Sequence, residues 1–157
     1  MKFDEWIAGL PKEITGDSLW KMEAYRLALF ATEIGWHDVT ELMKDRRTHG
    51  IADQLYRALG PVSANLAEGY SHHTGKSRAQ YYQYALGSAR EARDWYYKSH
   101  HILKDEVVQH RISLLTQIIK LLLTMVPQQR GKTPALREEQ TAYYIDAAIL
   151  PEQIPLP

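Results

Sequence analysis

Two adjacent-histidine pairs, His72–His73 and His100–His101, are the side chains best suited by type to hold a metal ion. Their spacing argues against it. Neighbouring helical residues point about 100° apart, so each pair offers one ligand per face. No Glu-x-x-His or His-x-x-x-His spacing occurs, so the two-carboxylate, two-histidine signature of metal-binding bundles is missing, and we expect no metal and no cofactor. Nucleophilic catalysis fares no better. The chain has no cysteine, which removes thiolate nucleophiles, thiolate zinc sites and disulfides together. Ser88 has no histidine at a spacing that would supply a base, and no G-x-S-x-G elbow is present. We expect no catalytic residue.

The stretch VSANLAEGYSHHTGKS, residues 62–77, sets Ser63, Asn65 and Glu68 into an otherwise apolar pattern and follows them with Gly69. The hydroxyl and the amide can bond backbone groups freed by Pro61. Gly69 suits close packing or a helix C-cap. Arg57 and Glu68 lie eleven residues apart, about 16 Å on one continuous helix, too far to pair. Arg57 would instead meet Glu91 on an antiparallel neighbour, or a carboxylate of another subunit. A different surface is offered by Arg90, Arg93, Tyr97, His101 and Lys104, which follow a 3-4-4-3 stripe. Basic groups interleaved with an aromatic suit a phosphate backbone with a stacked base. Asp94 can pair with Arg90 or Lys98 at i±4, which makes a solvated, salt-bridged face the competing account.

These residues must be positioned by helices. Apolar residues recur at helical spacing in four long segments. The first offers Trp20, Ala24, Leu27, Ala31 and Ile34, with Asp17 or Ser18 as N-cap, and extends through Trp36, Val39, Leu42 and Met43. The second runs from Ile51 to Tyr70, with a bend or break expected at Pro61. The third runs from Tyr81 to Ile102 as a heptad seam with small residues. The fourth starts near Asp105 and is expected to stop at Pro127. Short connections predict an all-α, up-down-up-down antiparallel four-helix bundle over residues 18–126. Residues 1–17 form an N-terminal extension. Residues 127–157 form a tail, whose apolar cluster Tyr143, Tyr144, Ile145 and Ile149 suggests a short docking helix.

The fourth segment is apolar around most of its circumference, where a bundle helix needs one apolar face. Either the chain's own tails cover it, or it forms a subunit interface through Leu114, Ile118, Leu121 and Met125. The interface is the favoured expectation.

At 157 residues, with typical apolar and charged fractions, the chain has the size of one soluble domain. The N-terminal MKFDEWIAGLPKE places acids and a proline where a signal peptide needs an apolar core, and no stretch reaches the roughly 20 apolar residues of a membrane span. A cytoplasmic location is expected. Net charge is zero but uneven. Residues 1–43 carry four basic and eight acidic side chains, residues 76–104 six basic and two acidic. A neutral total argues against strong non-specific nucleic-acid binding and leaves room for one basic face.

Several runs resemble a known family. DQLYRAL at 53–59, SANLAEG at 63–69, ALGSAREA at 85–92 and AYRLALFA at 24–31 are similar to the four-helix-bundle proteins of the ribosomal-RNA intervening-sequence protein family. That family includes relatives of Avd, the accessory variability protein of diversity-generating retroelements. The likeness covers roughly residues 19–126. Its motif positions match Gln54, Arg57, Asn65, Ala67, Glu68, Gly69, Gly87, Ser88 and Glu91. The chain departs from the pattern in having Ser63 where a proline is common, and Arg93 where a second acid is common. The resemblance implies an up-down bundle assembling into a ring, commonly a pentamer; in the Avd branch it implies binding of nucleic acid and a reverse transcriptase. The expected function is thus a non-enzymatic, ring-forming assembly or adaptor module for a protein partner such as a reverse transcriptase or a defence enzyme. The alternative is a direct RNA- or DNA-binding protein using the basic face of the third helix.

Overall fold

The computed structural model describes residues 2–131, 150 and 153–157. Among them, all regular structure is helical. Two short helices, α1 (Phe3–Ala8) and α2 (Lys12–Thr15), precede four long ones: α3 (Glu23–Leu42), α4 (His49–Ser71), α5 (Gly75–Lys98) and α6 (Asp105–Gln129). Each long helix packs on the next, and α6 returns to α3, closing the antiparallel bundle. At about 1.5 Å per residue the long helices span about 30–38 Å.

The core follows the helical repeat. Leu27, Phe30 and Ile34 of α3, Leu55, Leu59 and Leu66 of α4, and Leu115 and Leu122 of α6 are sealed from solvent. On α5 the inward residues are small, Ala79, Ala85, Ala89 and Ala92, alternating with the buried rings of Tyr82 and Tyr96. Small residues let α4 and α6 approach α5 closely. Two glycines mark close approaches to α5 and at its start. A Cβ on Gly69 of α4 would lie 2.8 Å from Cε1 of Tyr82 and 2.9 Å from Cβ of Tyr81. A Cβ on Gly75, the first residue of α5, would lie 2.0 Å from the Gln129 carbonyl at the end of α6.

Some helix boundaries differ from expectation. Asp17 does cap, its carboxylate accepting from Leu19 N–H at 2.8 Å, but the element it caps is a 3₁₀ turn at Ser18–Lys21. Pro61 lies inside α4 without ending it. Nearby side chains bond the backbone around it: Asn65 Nδ2 donates to the Pro61 carbonyl at 2.8 Å, and Ser63 Oγ to that of Gly60 at 3.3 Å. Pro127 likewise lies within α6, which ends at Gln129. The N-terminal extension is packed: Phe3 meets Phe30 edge-on at 4.9 Å, and Trp6 lies 5.0 Å from Phe30.

The expected interface on α6 is corrected in part. Leu114 and Ile118 have no exposed surface and belong to the chain's own core, so they cannot touch another subunit. The girth of α6 is used internally, because α3 and α5 flank it and the segment around Ile154 lies against it through a Pro155–Arg111 hydrogen bond. Leu121 and Met125 are half-buried at the edge of that core. The docking helix suggested for the tail, with Tyr143, Tyr144, Ile145 and Ile149, falls outside the described residues.

Candidate functional site

The most concentrated polar chemistry lies inside the bundle, where three helices each contribute one group. Asp38 of α3 is fully buried, as is Arg111 of α6. The pair is bidentate: Arg111 Nε donates to Asp38 Oδ2 at 2.7 Å and Nη2 to Oδ1 at 3.0 Å. Tyr96 of α5 adds its hydroxyl to Asp38 Oδ2 at 2.7 Å. Burial, reinforced by the Asp38 charge, pushes the Tyr96 phenol well above its usual pKa, so it acts as a donor. Arg111 Nη1 faces His110 Nδ1 at 2.7 Å. A guanidinium has only donors, so Nδ1 must accept. Arg111 Nη2 also donates to the Pro155 carbonyl at 2.9 Å.

This cluster ties α3, α5, α6 and the C-terminal segment to one point. Its groups are buried and committed to one another, which is the arrangement of a structural pin. Sequence patterning leaves a trace of it: Asp38 falls midway between Ile34 and Leu42, and Arg111 between Val107 and Leu115, each on the inward face. A lone charge on an apolar stripe is the signal that could have found them.

The motif residues read from the sequence lie mostly outside. Gln54, Arg57, Glu68, Gly87 and Glu91 are exposed; Asn65 and Ser88 are half-buried; Gly69 is buried. Arg57 does not meet Glu91. It pairs with Asp53 one turn earlier at 3.7 Å, while Glu91 accepts from Trp95 Nε1 at 3.4 Å. Glu68 reaches α5 instead. Its carboxylate, by hydrogen bonding and by negative charge, raises the pKa of the Tyr81 phenol. Tyr81 in turn stacks on His72 at 4.7 Å. A Cβ at Gly87 would meet nothing within 4 Å.

The basic stripe on α5 is partly dismantled. Arg93 is half-buried and donates to Thr116 Oγ1 of α6 at 3.1 Å. Asp94 pairs with Lys98, whose ammonium also sits 4.1 Å from the centre of the Trp95 ring. Arg90, Tyr97, His101 and Lys104 stay on the surface, Tyr97 with 64% exposure. Among the described residues, no three histidine or acidic side chains gather as a metal set. No described helix is long and apolar enough to cross a membrane.

A surface feature that periodicity did not flag lies where the N-terminal helices meet α3 and α4. An open groove of about 430 Å³ is lined by Trp6, Leu10 and Ile14, by Leu29 and Trp36 of α3, and by Tyr56 of α4, with Glu33 on its wall. Trp36 is 59% exposed and stands edge-on to Tyr56 at 5.8 Å. The helical pattern had placed Trp36 and Met43 with the inward set; both are more than half exposed, because Gly35, Val39 and Leu42 take the inward positions at that end of α3.

No curated protein and no solved structure matches the chain. A family model described as 23S rRNA-intervening sequence protein matches residues 21–124, from just before α3 to near the end of α6. That match covers more than half of the chain and takes in α3, α4, α5 and most of α6, and the chain therefore belongs to the 23S rRNA-intervening sequence protein family.

Proposed function

We propose that this protein is a non-enzymatic, homo-oligomeric bundle that serves as an assembly or adaptor module for a protein partner, such as a defence enzyme or a reverse transcriptase, the latter being the kind of partner that the resemblance to Avd-type proteins suggests. The observation that carries it is the aromatic groove. Trp36 and Tyr56 leave large apolar surface in water beside a concave, mostly apolar cleft, and such surface on a soluble domain marks a protein contact. A neighbouring copy is the occupant that fits a ring, and five copies is the number the family resemblance suggests. The buried polar cluster spends its hydrogen bonds on groups of the chain itself, which favours a scaffold over an enzyme.

Light scattering tests this directly. The parent should be a homo-oligomer at micromolar concentration, and Trp36→Glu should dissociate it, because a desolvated, unpaired carboxylate at an interface is strongly unfavourable. Leu121→Glu serves as the comparison, since Leu121 lies on the other candidate face. Dissociation by Leu121→Glu alone would move the interface to α6. A monomeric parent would sink the proposal.

A second reading is direct nucleic-acid binding through Arg90, Tyr97, His101 and Lys104. The observation that favours it is Tyr97, an exposed ring flanked on α5 and the following turn by exposed basic groups.

A further inference from the structure

The last five residues, Gln153–Pro157, form no helix, yet Ile154 is only 2% exposed and packs into the bundle core. The next carbonyl, that of Pro155, accepts from Arg111 Nη2 at 2.9 Å. Arg111 is 1% exposed, so this donor is a fixed, desolvated feature of the bundle. It is held by Asp38 on one side and His110 on another. The bundle thus presents two recognition elements side by side: an apolar recess filled by a branched aliphatic side chain, and a charged donor for the following carbonyl.

We propose that this mouth of the Asp38–Arg111 cluster is a peptide-binding site for an extended segment carrying a branched aliphatic residue followed by proline, and that the chain's own Ile154–Pro155 occupies it in cis. The ligand chemistry suits the task. Proline has no N–H, so no donor has to be buried against the guanidinium, and its fixed φ lowers the entropy lost on docking. The residue before it is biased to extended backbone, the shape that sends Ile154 inward while Pro155 offers its carbonyl. Gln153–Pro157 belongs to the same chain but forms no helix of the bundle, so the ligand is covalently attached without being built into a bundle helix. The site is independent of the aromatic groove.

The test uses a fluorescently labelled peptide of the sequence Gln153–Pro157 and anisotropy. Two receptors are prepared: the chain ending at Gln153, and the full-length chain carrying Ile154→Asp, with circular dichroism to check folding. Both should bind the peptide saturably. The full-length parent should bind at least about 10-fold more weakly, because a tethered ligand acts as if present at roughly millimolar concentration. A peptide carrying Ile154→Asp should not bind. No saturable binding by a folded receptor would overturn the proposal. So would equal binding by the parent, or equal binding of the substituted peptide. If both receptors fail to fold, the segment is an inseparable part of the core and the proposal falls.

Discussion

Asp38 and Arg111 sit 73 positions apart in sequence and form a bidentate pair with almost no solvent contact. A buried pair contributes little net stability relative to apolar side chains of similar volume, but removing one partner leaves a buried charge alone. Asp38→Leu or Arg111→Met should each therefore cost about 3–5 kcal/mol, while the double replacement Asp38→Leu with Arg111→Met should cost far less than their sum. Urea denaturation of the four proteins gives the coupling directly, and additive losses would refute a dominant pairwise bond. Tyr96 supplies a pH signature. Its folded pKa is raised, so its contribution is complete below the unfolded value of about 10 and is lost as pH rises from there toward the folded value. Thermal stability should fall above about pH 10, and Tyr96→Phe should flatten that fall while lowering stability at neutral pH by roughly 1–3 kcal/mol. An unchanged alkaline slope in Tyr96→Phe would assign the transition to another group.

At the scale of elements, two glycines make opposite predictions from their surroundings. Gly69 of α4 lies against Tyr81 and Tyr82 of α5, and neither contact atom is the free end of a flexible chain. Gly69→Ala must push α4 from α5 and should cost about 1–3 kcal/mol. Gly87 sits in the middle of α5 with open space where a Cβ would go. Gly87→Ala should stabilise the chain by about 0.5–1 kcal/mol, since alanine is the better helix former. Chemical denaturation compares the two, and destabilisation by Gly87→Ala would mean that another surface presses on α5 there. The four long helices were legible because periodicity and short turns are local properties. Helices α1 and α2 were not, since six and four residues carry too little pattern and Phe3 and Trp6 hold α1 by landing on Phe30. The girth of α6 announced burial but not what would cover it, so Leu114 and Ile118 were assigned to a neighbour when the chain's own core holds them. Asp38 and Arg111 each betray themselves as a charge on an apolar stripe, but their pairing is a matter of helix adjacency, which no spacing rule contains. Arg57 shows the reverse: Glu91 on another helix was one of its two expected partners, and within the bundle an acid one turn away takes that place.

At the scale of the whole molecule, charge decides what the surface can hold. The chain is neutral overall, its first 43 residues acidic and the region from Lys76 to Lys104 basic. Any nucleic acid must therefore be held by a local face, and the bundle has reduced that face. Arg93 is engaged with Thr116 and Lys98 with Asp94, leaving Arg90, His101 and Lys104 around the exposed Tyr97 ring. A few cations and one stacking ring on a neutral protein should give weak contact, micromolar or looser, falling steeply as salt displaces it. Repetition around a ring would raise apparent affinity by avidity without changing that salt sensitivity. The informative variant is Arg90→Glu with Lys104→Glu, because both side chains are exposed and neither holds the fold together, whereas changing Arg93 would also disturb the α5–α6 contact. Tyr97→Ala separates stacking from charge: it should weaken single-stranded oligonucleotides more than duplex, whose bases are already stacked. Fluorescence anisotropy at low and moderate salt reads all three effects. No binding by the parent at low salt would eliminate the nucleic-acid reading and leave the protein-adaptor one standing. Tight, salt-resistant binding would require apolar or base-specific contacts, which this face, with a single exposed ring among its cations, does not offer.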